Sequence, residues 1–339
     1  MTPSPMDPRP SAKKDRIDSL AATAGRTTGG SATNVAEVHV SAAGAVRDTG
    51  GVSLIASAWS RLRRNPVFLL GAAITVLFVV LALISPWIAP HDASERLPEL
   101  KENLSPGNIP GPMPGFPLGS DEFGRDLLSR LLVGARQTLI VGVFATLFGL
   151  AGGIALGTLA GAFGGWVDSV VMRVVDVMLS IPSLLLAVSI AALAPRPSQW
   201  TLIIAIATVQ VPIFARLLRG SMLAQRSSDH VLAARALGVK RGSIVFRHML
   251  PNSLGPVIVQ STLVLATSII DAAGLSFLGL GNSDDRQPEW GQMLGEAQRL
   301  IQDYPHLAFY PATCIIIVAL GFTLMGESLR EALDPKSRR

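Results

Sequence analysis

The sequence predicts an all-α integral membrane protein with six spanning helices. Three observations lead there. The chain is 49% hydrophobic and only 16% charged, with a mean hydropathy of +0.43, whereas soluble domains carry about 25% charged residues. Six uncharged apolar runs occur, at 66–90, 137–167, 177–195, 197–215, 249–270 and 307–326, and a helix needs about 20 such residues to cross the hydrocarbon core. The segments between them differ in charge. Residues 216–248 carry seven Arg or Lys against one Asp, while 91–135 and 280–306 are acidic on balance. Basic segments are retained on the cytoplasmic side, so both termini are expected there, in a multi-pass membrane protein.

Composition also narrows the function. The net charge of +5 is accounted for by the retained basic segments, and no nucleic-acid partner is implied. The single Cys314 lies in an apolar run, which leaves no disulfide framework and no cysteine metal site.

Residues 1–51 are rich in Ser, Thr, Ala, Gly and Pro without apolar periodicity, the composition of a disordered cytoplasmic tail. In 52–65, Ile55, Trp59 and Leu62 fall on one helical face ahead of Arg61, Arg63 and Arg64, as in an interfacial amphipathic helix. The first span is 66–90. Residues 91–132 form an extracytoplasmic loop that ends in an amphipathic helix. There Ser120 or Asp121 is a capping residue, and Leu127, Leu128, Leu131 and Leu132 lie opposite Arg125, Asp126 and Arg130. The core, 133–339, holds the other five spans and a cytoplasmic loop at 220–252.

The second span carries Gly142, Gly149, Gly152, Gly153, Gly157 and Gly161; small residues allow close helix approach, so this span belongs inside a bundle. Arg173 and Asp176, three residues apart, suit a local ion pair. Pro182 and Pro212 are expected to bend the third and fourth spans. These two spans are separated only by Arg196 between Pro195 and Pro197, a tight turn. The fifth span is placed at about 254–280. Asp271 lies late in it, and a carboxylate there is costly unless wet or paired. It either lines a pathway, touching a substrate amine, or sits at a wet mouth or beside a structural partner.

The loop stretch DHVLAARALGVKRGSIVFRHMLP, residues 229–251, reads as helix, glycine turn, helix. Gly238 supplies the left-handed turn. Ile244, Val245, Phe246, Met249 and Leu250 form a second apolar face that Pro251 stops. The segment is expected to protrude as a knob that another protein can grip.

With Ala233, Ala234, Gly238, Leu250 and Pro251 in place, the stretch resembles the EAA loop of ABC-importer permeases: E-A-A, three residues, Gly, nine residues, then I-x-L-P. Leu232 stands where that pattern has Glu, and His248 where it has Ile. Three further strings resemble the oligopeptide, dipeptide and nickel importer subfamily, C-type subunit. LGSDEFGRDLLSRLLVGARQTL at 118–139 is similar to its G-T-D-x-x-G-R-D…S-R…G-A-R-x-S-L run. DAAGLSFLGLG at 271–281, with Pro288, Trp290, Gly291, Met293 and Leu294, is similar to its E-A-x-L-S-F-L-G-L-G…P…W-G-x-M-L run, with Ala272 at the Glu position. LGFTLMGESLREALDP at 320–335 is similar to its C-terminal run, Arg330, Asp334 and Pro335 matching and Glu327 taking an Asp position.

The resemblance covers about 60–339. It implies a type I ABC importer permease fold and the transport of di- or oligopeptides, with nickel complexes, glutathione or another small solute as alternatives. It implies a heterodimer with a second related permease, two ATPase subunits, an extracytoplasmic binding protein and a surround of membrane lipids. Ala233, Ala234, Gly238, Ile244, His248, Leu250 and Pro251 would then be ATPase-coupling residues.

This chain has no G-x-x-x-x-G-K-[ST] sequence to cradle phosphates. ATP and Mg are therefore assigned to the partner ATPase, and no cofactor, catalytic or metal site is expected in this chain. An ion-gradient-driven secondary transporter is the rival class; it would call for internal repeats and intramembrane acids at broken helices.

Overall fold

A computed structural model describes residues 59–105, 107–282, 284 and 286–333. The expectations for residues 1–51 and for Ile55, Asp334 and Pro335 fall outside these residues. The described chain is helical almost throughout, and its helices are numbered here in order.

After a helical turn at 59–62, α1 spans Pro66–Ile88. Asn65 caps it, its Oδ1 accepting from the Val67 and Phe68 amides at 2.9 and 3.4 Å. Proline at the first helical position adds its fixed φ and loses no needed donor. The loop that follows includes a short helix α2, Pro98–Glu102. Then α3, Leu127–Phe163, runs for 37 residues. Its cap is Asp126, whose carboxylate accepts from the Leu128 and Ser129 amides; the expected caps Ser120 and Asp121 are buried in the loop before it.

Among the described residues, five helices are long and apolar enough to cross a membrane unbroken. The remaining span, third in chain order, is broken. Its halves α4, Gly165–Ser180, and α5, Ser183–Ala192, meet at 96°. Ile181 is extended (φ −88°, ψ 133°) because the ring of Pro182 disfavours helical geometry in the residue before it. The expected bend is therefore a full break. Next come α6, Gln199–Gln225, then α7, Asp229–Ala236, and α8, Arg241–Ile244. A π turn over Val245–Met249 leads directly into α9, Leu250–Phe277. Finally α10, Trp290–Ala297, precedes α11, His306–Leu333.

The bundle is organised by glycine. Gly149, Gly153, Gly157 and Gly161 recur every fourth residue on α3 and abut Gln210, Phe214, Leu218 and Met222 of α6. Such a stripe replaces side-chain bulk with backbone contact, which matters most where lipid supplies no hydrophobic drive between helices. Gly71 of α1 and Gly321 of α11 make a second close crossing. The outer face of α1, with Val76, Leu77, Leu83 and Trp87, is exposed, as a lipid-facing surface is. Asp176 does not pair locally with Arg173: its Oδ1 accepts from Arg216 of α6 at 2.5 Å. Asp168 accepts from Arg219 of α6 through both oxygens, at 2.5 and 2.6 Å. Both pairs bind α4 to α6.

Candidate functional site

Apart from the ion pairs that bind α4 to α6, three polar regions stand out among the described residues: the elbow 229–251, a polar node at mid-bundle, and the opposite end. In the elbow, α7 ends at Leu237 and Gly238 turns the chain with φ +74°. Val231, Ala234, Ile244, Val245 and Met249 are buried against Phe214, Leu218 and Met222 of α6 and Val257 of α9. Leu232, Leu237 and Phe246 point outward, at 49%, 83% and 65% exposure. Ala233, Gly238 and Pro251 are exposed, and His248 and Leu250 half-buried. The elbow is thus seated on the bundle by one apolar face and presents a second to whatever lies beyond it.

Pro251 does not stop a helix. The Leu250 amide donates five residues back to the Val245 carbonyl, and the helix passes through this wider turn into α9. A π turn absorbs the ring and missing donor that would otherwise break the ladder.

Two further arginines meet the end of α3, Arg241 from within the elbow and Arg226 from the end of α6 just before it. Arg226 donates to the Gly161 carbonyl at 2.7 Å, and Arg241 to those of Ala162 and Phe163 at 2.7 and 2.8 Å. These are the last carbonyls of α3, where cations complement the helix dipole. Basic composition alone could not single them out among the seven Arg and Lys of 216–248.

At mid-bundle, Thr146 of α3, Gln210 of α6 and Ser268 of α9 join three helices: the two hydroxyls lie 2.8 Å apart and Gln210 Nε2 donates to Ser268 Oγ at 2.6 Å. Asp271, one turn along α9, is half-buried and forms no ion pair with another described residue.

The opposite end holds a buried charge cluster. Arg125 and Arg130 are 1% and 0% exposed, so this stretch does not present its charges to solvent as an amphipathic surface helix would. Asp121 lies 2.5 Å from Arg125 Nε and 3.3 Å from Arg130 Nε, and Glu296 of α10 lies 3.2 Å from both. Only paired charges are tolerated at such burial. Trp290 Nε1 donates to the Leu131 carbonyl at 2.9 Å, and its ring covers Gly134. Glu289 is 1% exposed and accepts from Ser276 Oγ at 2.9 Å. Burial pushes its carboxyl up to about 7, against the smaller opposing effect of that hydrogen bond.

Near this end a cavity of about 440 Å³ lies between the starts of α3 and α6 and residues 286–287. A second, of about 750 Å³, is lined by Leu179, Arg216, Ser221 and Gln260 among others. Asp271 lines neither.

Comparison with known proteins bears on this architecture. Residues 153–339 match the family of binding-protein-dependent transport system inner membrane components, and residues 53–106 match the N-terminal membrane domain of oligopeptide transport permease C. The chain belongs to this permease family. The dipeptide transport system permease protein DppC of Alkalihalophilus pseudofirmus is 41% identical over 281 residues, which are 83% of this chain and 90% of that one. The glutathione transport system permease protein GsiD of Escherichia coli O157:H7 is 41% identical over 278 residues, 82% and 89% of the two chains. Among solved structures, the methionine ABC transporter MetNI, in inward-facing conformations, aligns over 61% of this chain and 98% of its own with a TM-score of 0.51 at 20% identity. At that identity the likeness is one of fold, and it is the fold of an ABC importer permease. The permease is thus a multi-pass inner-membrane subunit of an ABC importer.

Proposed function

We propose that this permease forms half of a pathway for di- or oligopeptides, pairs with a second, related permease, and takes its motion from two ATPase subunits through the elbow 229–251. The observation that carries the reading is the elbow's two-sidedness. One face is packed on α6 and α9 and tied to α3 by Arg241, while the other exposes Leu232, Leu237 and Phe246 on a basic segment. Force applied to the outer face reaches three spanning helices at once. Ala233, Ala234, Gly238, Ile244, His248, Leu250 and Pro251 build that lever. The exposed Leu232, at the position where the related pattern has Glu, gives the contact an apolar character.

In this reading the elbow and both termini are cytoplasmic, and the acidic segments face the extracytoplasmic binding protein. ATP and Mg are held by the ATPases, and this chain carries no cofactor. Peptide as cargo is supported by the 41% identities to a dipeptide permease and to a permease for glutathione, itself a peptide.

The test is reconstitution of the whole complex in liposomes. ATP-dependent, vanadate-sensitive peptide uptake is expected. Uptake by this chain without an ATPase, or driven by an ion gradient, would overturn the reading.

A further inference from the structure

The cavity of about 440 Å³ has a composition that the coupling role does not use. Its lining includes two guanidinium groups, Arg136 on α3 and Arg286 in the loop before α10, with Gln137, Gln287, Phe144 and Trp200. Both arginines are exposed, and neither forms an ion pair with another described residue. Gln137 Nε2 donates to Gln287 Oε1 at 3.3 Å, which fastens the loop bearing Arg286 to the helix bearing Arg136. Phe144 and Trp200 meet edge to face, with centroids 6.1 Å apart, and give the cavity an aromatic wall. The volume lies within the range of small-molecule sites.

Two cations and two amides beside an apolar wall suit an anion with an attached apolar group. A guanidinium presents paired donors that match a carboxylate. We propose that this cavity receives the C-terminal carboxylate of a peptide as it leaves the binding protein, Arg136 and Arg286 holding the carboxylate and Phe144 and Trp200 the adjoining side chain. This rests on the peptide reading above, and on the cavity lying at the extracytoplasmic end.

The experiment uses the full importer in liposomes of zwitterionic lipid. It compares uptake of an apolar dipeptide and of its C-terminal amide by wild type, Arg136→Gln, Arg286→Gln and the Arg→Lys counterparts. The Gln variants are expected to lower uptake of the free acid about tenfold or more, the scale of losing a charged hydrogen bond. They should lower amide uptake less than twofold. The Lys variants keep the charge and lose the paired-donor geometry, so they should retain more acid uptake than the Gln variants. Where wild type carries no amide, the contrast between Gln and Lys decides: equal loss in both overturns the site. Acid uptake unchanged in the Gln variants, or acid and amide lost alike, also overturns it while the peptide reading stands. Wild-type uptake of neither peptide sinks that reading and this site together. A defect that appears only when anionic lipid is added would assign the arginines to lipid headgroups and overturn the proposal.

Discussion

Gly153 of α3 lies against Phe214 of α6 so closely that a Cβ built on the glycine would overlap the phenylalanine Cβ. The neighbouring Gly157 is nearly as tight, its added Cβ falling 2.8 Å from the Ala215 carbonyl and 2.9 Å from Leu218 Cβ. Most of these contacts are backbone or Cβ atoms, which cannot swing aside. The α3–α6 crossing therefore depends on the absence of side chains along one line of α3.

Gly153→Ala is accordingly expected to cost about 1–3 kcal/mol, the usual penalty of overpacking, and Gly153→Leu to prevent the helices from closing. Gly274, on α9, has nothing within 4 Å of an added Cβ. Gly274→Ala should be neutral or gain the helix propensity of alanine, up to ~1 kcal/mol. Thermal unfolding of the detergent-solubilised protein reads both; equal effects at 153 and 274 would contradict the close crossing.

Arg130→Met tests the buried cluster. The substitution removes one of the two buried guanidinium groups that face Asp121 and Glu296. Removing one member of a buried charge group costs about 3–5 kcal/mol. The variant is expected to lose the attachment of α10 first, seen as faster hydrogen exchange over 290–297 than over α6. Unchanged exchange there would mean that the cluster does not hold α10.

How much of this was legible beforehand depended on distance in sequence. The spans were, because an uncharged run reports its own surroundings. The close packing of the second span was, because its glycine content is local; which four glycines form the stripe was not. Gly238 was, because a left-handed turn is a property of one residue. The burial of Arg125 and Arg130 was not: Glu296 lies 171 and 166 residues away, and without it a charged face opposite a leucine stripe reads as solvated. Asp176 was likewise given the nearest arginine, when its partner Arg216 lies 40 residues on. Pro251 was read as a stop because a π turn has no sequence mark. Thr146, Gln210 and Ser268 stood out nowhere, being single polar residues on three different helices.

Gly238→Val probes the elbow. The position has φ +74° and nothing within 4 Å of an added Cβ, so valine brings backbone strain without collision. The cost is on the order of 1–3 kcal/mol, borne where α7 turns into α8. Membrane levels of the subunit should change little while ATP-driven uptake falls about tenfold if that strain shifts the exposed Leu232 and Leu237 by a side-chain width. Gly238→Asn, which tolerates left-handed geometry, should retain more uptake than valine. Full uptake in the valine variant would remove the elbow from the coupling path.

Glu289 gives the chain a pH dependence with a defined sign. Its carboxyl ionises at 4.5 in the ordinary state and at about 7 when buried at the start of α10. Between those values the folded protein keeps a proton that the unfolded chain has released, so stability declines as pH rises through that window and is level above it. The whole effect is roughly 3 kcal/mol. Glu289→Gln keeps an acceptor for Ser276 Oγ and cannot ionise. Unfolding midpoints measured from pH 4.5 to 8 should therefore fall more steeply for wild type than for the variant, because every other titrating group is common to both. Parallel curves would show that the carboxyl is ionised in the folded state across this range, and that α10 is held down without its proton.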